Sequence, residues 1–182
     1  MKHFLHHAKA LLVMMAITLG AVTPIYASDG VELAGDVLAI ALPVAAGGMT
    51  LALMDENGAV QLAESAALTL GTTFLLKYTV KAERPNGKDK HSFPSAHASG
   101  AFASAEYLRK RYGWEYGLPA YAMASFVAYS RVDSRQHYAR DVLAGAAIGI
   151  GSSYLFTRPY EGWQFQAVAD PGYYGMRLSR VW

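Results

Sequence analysis

The 182-residue chain has no cysteine, and that absence excludes a disulfide framework, a thiolate nucleophile and any metal site built from thiolates. Charge is also scarce, at 16% of residues. The formal excess of +2 comes from Lys2 and Lys9; from Ser28 onward, fourteen basic residues face fourteen acidic ones. A chain without net charge lacks the electrostatic footprint of a nucleic-acid-binding domain. Low-complexity tracts are missing too. What is present is Ala, Gly, Leu and aromatic residues, in a length that supports one domain with a sizeable core. That is the makeup of a compact helical protein.

Residues 1–27 place a basic region (Lys2, His3, His6, His7, Lys9) before an apolar run from Ala10 to Val22 and the sequence Pro24-Ile25-Tyr26-Ala27. This is the layout of a secretory signal cleaved after Ala27. The competing reading is a retained first membrane helix, for which the run falls short of the ~20 residues a span needs. Either way the chain is directed to or across a membrane. The expected organisation is a leader over 1–27, a helical-bundle domain over 28–160 and an aromatic tail over 161–182.

Beyond the leader, apolar segments separated by breakers predict an all-α bundle of about five core helices. Gly35 to Met54 is almost uncharged, with Pro43 and Gly47-Gly48 expected to kink it. Val60 to Val80 follows, with Lys77 near its C-terminal end, where the helix dipole favours a cation. Pro85, Asn86-Gly87 and Pro94 make Lys81 to Pro94 a polar loop. His97 to Tyr112 is rich in small residues that permit close packing. A turn is expected from Gly113 to Gly117, a helix from Leu118 to Arg131, a connector to Gln136 and a last helix to Phe156. The tail alternates at period two on either side of Asp170-Pro171-Gly172 and reads as a β-hairpin.

Three clusters carry the chemistry: Lys77 to Arg84-Pro85, then Pro94-Ser95-Ala96-His97, then Ser130-Arg131 to His137 and Asp141. Phosphoryl transfer spreads negative charge over oxygens that placed cations and N–H donors stabilise. Lys77, Arg84 and Arg131 supply the cations, Arg as a planar fork and Lys as a point charge. Ser95 adds a hydroxyl, and the backbone N–H groups of Ser95, Ala96 and His97 belong to a helix N-terminus that favours an anion. His137 and Asp141 stand four apart, a spacing that puts both on one helical face. A carboxylate on one ring nitrogen fixes the tautomer and leaves the other free to attack. His137 is therefore the expected nucleophile, and His97 the acid that protonates the leaving oxygen and then activates water. Lys81, Lys88, Lys90, Arg135 and Arg140 read as solvated charges, with Arg135 the nearest to a cluster. After the leader there are three histidines, and two of them lie inside the clusters.

The joint pattern closely resembles the three signature motifs of the type 2 phosphatidic acid phosphatase superfamily, which also includes bacterial acid phosphatases and vanadium haloperoxidases. It extends from about Gly35 to Phe156. The resemblance implies metal-independent hydrolysis of phosphate monoesters or diphosphates, lipid phosphates among them, through a phosphohistidine and with no cofactor. It assigns Lys77, Arg84, Ser95 and Arg131 to the phosphate, His97 to acid catalysis, His137 to attack and Asp141 to its support. One departure is Ala96, where the second motif usually has Gly. Two other readings use the same residues, a vanadium-dependent haloperoxidase and a non-catalytic anion-binding module.

The partners expected are a phosphate ester and a membrane. Only Val37 to Met54 is long enough to span a bilayer comfortably; the apolar stretches Glu64 to Lys77, His97 to Leu108 and Leu118 to Tyr129 cover only ~18 Å of a ~30 Å hydrocarbon layer. A periplasmic protein, soluble or membrane-associated, is the first expectation. The alternative is an integral inner-membrane enzyme with an outward-facing site, for which Arg109-Lys110-Arg111 would fall on the cytoplasmic side.

Overall fold

The computed structural model describes residues 27–161, 163–170 and 173–180, and the leader expected over 1–27 lies outside them but for Ala27. Five helices and one hairpin follow in order: α1 (Ala27–Ala52), α2 (Glu56–Val80), α3 (Ala96–Tyr112), α4 (Trp114–Asp133), α5 (Ala139–Phe156), β1 (Trp163–Asp170) and β2 (Tyr173–Arg180). The two strands pair antiparallel with Asp170 opposite Tyr173, in agreement with the alternation of the tail.

The bundle is built around α3, which packs against all four other helices. Its small buried residues make this possible: Ala98, Ser99, Ala101, Ala103, Ser104 and Ala105 bring neighbouring backbones close. The tightest approach is to α5. A Cβ on Gly145 would stand 2.5 Å from the Ser95 carbonyl oxygen, and one on Gly149 would overlap that of Ser99. Two glycines thus fix how deeply the ends of α3 and α5 meet.

Helix ends follow local chemistry. Asp55 caps α2 by accepting the Gly58 N–H at 2.9 Å, and Ser95 caps α3 by accepting that of Ala98. Lys81 ends α2 in the left-handed conformation. Gly113, at φ 109, reverses the chain in one residue; α4 therefore starts at Trp114, and the turn expected over Gly113 to Gly117 is already helix. Pro43 does not break α1, which runs unbroken through it and the Gly47-Gly48 pair.

Two of the helices are long. Residues 29–52 and Glu56–Val80 both have the length and composition to cross a membrane. The second corrects the expectation that only Val37 to Met54 is long enough, because α2 runs beyond both Glu64 and Lys77, the bounds of the apolar stretch expected there. Only 17% of its apolar window is buried, unlike the core helix of a soluble bundle. On α1, Leu33, Val37, Ile40, Val44 and Leu51 are exposed in steps of three, four and seven, the signature of one helical face.

The bundle end away from Lys77 is tied by a buried cluster. Arg111 grips the Asp55 carboxylate with two nitrogens, with Nε at 2.7 Å from Oδ2, and donates to the carbonyls of Arg158 and Pro159. Tyr112 adds a hydroxyl donor to Asp55 at 2.9 Å. Arg109 pairs with Glu106. Two members of the Arg109-Lys110-Arg111 run are therefore internal struts, not the free charges that an orientation argument needs.

Candidate active site

The opposite end collects every candidate residue, because α1, α3 and α5 begin there and α2 and α4 finish there. Arg84, His97, Arg131 and His137 line one pocket of about 480 Å³, together with Glu32, Asp36 and Ile40 from α1, Asp89 and Gln136. Lys77, Ser95 and Asp141 stand behind this wall and shape it.

Lys77 is almost fully buried and donates to the carbonyls of His91 at 2.6 Å and Pro94 at 2.9 Å. It anchors the 81–95 loop to α2. Arg84 is held by Asp89 at 2.9 Å and by the Gln136 backbone carbonyl at 3.2 Å. Arg131 spreads its fork over α1, with Nη1 on Asp36 Oδ1 and Nη2 on the Glu32 carbonyl, both at 2.6 Å. Ser95 is buried, and its own N–H donates to the Asp141 carbonyl at 3.0 Å, which joins the second and third clusters directly. Ala96 is the first residue of α3 and has no positive φ. A methyl group at that position therefore carries no backbone strain.

The pairing of His137 and Asp141 differs from the one expected from their spacing. His137 lies outside α5, which is preceded by Tyr138 as its cap. Asp141 is in the first turn and accepts the Tyr138 N–H at 3.0 Å. The carboxylate meets the imidazole because it caps the helix that follows, not because the two share a helical face. His137 Nδ1 is 3.9 Å from Asp141 Oδ2, with Ser92 beside both: its hydroxyl donates to Oδ2 at 2.5 Å and lies 3.5 Å from Nδ1.

Electrostatics separates the two imidazoles. His137 is buried, and burial, reinforced by Arg84 and Lys77, pushes its pKa down to about 4; a backbone hydrogen bond with Ser92 and the Asp141 charge act the other way. It is neutral, with a free lone pair, at ordinary pH. His97 is 44% exposed at the pocket mouth, 3.2 Å from Asp36 Oδ1. Its pKa is also lowered, by burial and then by Arg131, against the opposing pull of Asp36.

Reading the sequence missed Ser92, Glu32, Asp36 and Gln136. For Asp36 a signal was available: an acidic residue within an otherwise uncharged apolar segment is costly unless it serves a site. Ser92 offered none, since a serine in a polar loop is ordinary.

An all-α bundle with two imidazoles and two guanidinium groups around one pocket defines a phosphoryl-handling protein. The sequence pattern described as the PAP2 superfamily matches residues 58–164. A lipid A 4'-phosphatase of Helicobacter pylori is 36% identical over 138 residues, covering 70% of this chain and 69% of that protein. A lipid A 1-phosphatase of Porphyromonas gingivalis is 42% identical over 78 residues, which is 41% of this chain but 17% of the longer relative. No solved structure matches the chain. The chain belongs to the PAP2 superfamily, that of the type 2 phosphatidic acid phosphatases, and is a phosphatase of its metal-independent kind.

Proposed function

We propose that this phosphatase acts on a lipid phosphate at the outer face of a membrane, with His137 as nucleophile and His97 as acid. The observation that carries the lipid reading is Ile40, which belongs both to the exposed apolar face of α1 and to the pocket wall. An acyl chain lying along Leu33, Val37 and Val44 reaches the phosphate site without crossing water. Lipid A, the substrate in the names of both relatives, is the first to try.

The phosphate sits against Arg84 and Arg131, with Arg131 exchanging Asp36 for a phosphate oxygen. Ser92 and Asp141 hold the Nδ1 side of His137, leaving Nε2 to attack phosphorus. As the N–P bond forms and the P–O bond breaks, His97 gives its proton to the leaving oxygen. Neutral His97 then takes a proton from water as that water attacks phosphorus. The N–P bond breaks, phosphate leaves and His97 is again an acid.

Phosphate release by the full chain in detergent, with and without chelator, tests this reading on a lipid A phosphate, phosphatidate and a soluble aryl ester. Chelator-resistant turnover with preference for a lipid is expected, and Ile40→Asn should lower kcat/KM for the lipid while sparing the soluble ester. Preference for the soluble ester would remove the lipid reading.

A further inference from the structure

Asp36 lies outside residues 58–164, the part matched by the superfamily pattern, yet it is where α1 meets the chemistry. One oxygen, Oδ1, is 2.6 Å from Arg131 Nη1 and 3.2 Å from His97 Nε2. Gly35 makes this approach possible: a Cβ there would overlap Ser130 Oγ and stand 2.8 Å from Arg131 Nη2. One turn earlier, the Glu32 carboxylate accepts from Gln136 Nε2 at 2.9 Å. The N-terminal part of α1 is thereby fixed against the end of α4 and the loop that carries His137.

We propose that Asp36 is the positioning carboxylate of the general acid, holding His97 by Nε2 so that an imidazolium meets the leaving oxygen. This rests on His97 being the acid. The requirement comes from burial and then from charge, because a partly buried proton donor among phosphate-binding cations is driven towards its neutral form. Lys77 from α2, Arg84 from the loop and Arg131 from α4 all act in that direction, and Asp36 opposes them. The other acidic groups nearby are committed elsewhere: Asp89 to Arg84, Glu32 to Gln136 and Asp141 to Ser92. His137 is neutral at ordinary pH and adds no charge.

A carboxylate on one nitrogen fixes the tautomer and stabilises the cation, the role that an Asp plays beside a catalytic His in hydrolases generally. Here the other ring nitrogen carries the mobile proton. That proton passes to the leaving oxygen as the P–O bond breaks, and it is replaced from the attacking water.

The test uses the full chain in detergent micelles with two lipid-like esters, hexadecyl phosphate and a hexadecyl-substituted nitrophenyl phosphate. The alkoxide leaving group needs a proton and the nitrophenolate does not. In Asp36→Asn, kcat/KM for the alkyl ester, which reports the step that breaks its P–O bond, should fall by roughly 10²-fold, with a much smaller loss on the nitrophenyl ester. The alkaline limb of its kcat/KM profile should move to lower pH, and Asp36→Glu should restore part of both. Equal losses on the two esters with an unmoved limb would overturn the proposal, since a carboxylate that only braces Arg131 or the fold gives that result. Loss of wild-type turnover, or turnover that survives His137→Ala, would instead strike the underlying phosphatase reading.

Discussion

Ser92 Oγ stands between the His137 imidazole and the Asp141 carboxylate, 2.5 Å from Asp141 Oδ2 and 3.5 Å from His137 Nδ1. Direct contact between His137 and Asp141 is 3.9 Å, so support of the imidazole passes partly through a hydroxyl. Ser92→Ala should lower kcat about ten-fold with little change in KM, the size of one hydrogen bond to a charged group. Asp141→Asn should cost more. A Ser92→Ala enzyme with wild-type kcat would show that the hydroxyl is only a packing group.

With His137 as the proposed nucleophile, the acid limb of the rate profile reports its imidazole, because only the neutral form can attack. Its lowered pKa, about 4, keeps the nucleophile neutral well below the ordinary imidazole range, so kcat/KM should hold until the pH approaches that value. Arg84 is the largest of the charge contributions to this lowering. Arg84→Gln should therefore move the limb to higher pH while also raising KM, and a limb that stays in place would contradict the assignment.

Gly149 lets α5 touch the α3 backbone, and an added Cβ would overlap the Ser99 carbonyl oxygen and stand 2.7 Å from the Ala103 amide nitrogen. Gly149→Ala should destabilise by about 1–3 kcal/mol through overpacking, read as a lower thermal midpoint in detergent. Because Ser95 caps α3, His97 lies in its first turn, and α5 follows His137, kcat should fall with it. The same substitution at Gly47 or Gly151, where nothing lies within 4 Å, is the neutral control.

The distal pair makes a complementary prediction. The Asp55 and Arg111 side chains are 3% and 5% exposed. Asp55→Ala leaves a buried guanidinium unpaired and should cost about 3–5 kcal/mol. Replacing both partners together, as Asp55→Ala with Arg111→Met, should cost less than that single change. Equal or greater loss in the double variant would show that Arg111 matters mainly through its bonds to Arg158 and Pro159.

Much of this was legible in the sequence. The three clusters contain both imidazoles and both pocket guanidinium groups, and breakers such as Pro85, Pro94 and Gly113 marked most boundaries. What escaped has physical causes. The capping role of Asp141 cannot be told from an i, i+4 pair by spacing, because both put Asp141 four positions after His137. The membrane-crossing length of α2 was hidden by Glu64, a charge that bounds the apolar stretch but not the helix and that lies exposed on its surface. Arg111 reads as part of a basic run that orients the chain in a membrane until Asp55, far away in sequence, is seen against it. Asp36 needed α1 to be docked on α4 before its carboxylate had neighbours.

The account rests on His137 becoming covalently phosphorylated, and the most direct measurement is rapid quenching into alkali of the full chain during turnover of a radiolabelled lipid phosphate. Label in the protein that survives alkali, is released by acid and maps to His137 is the result expected, with none in His137→Ala. Turnover at the wild-type rate without any protein-bound label, or label on His97 in its place, would contradict it.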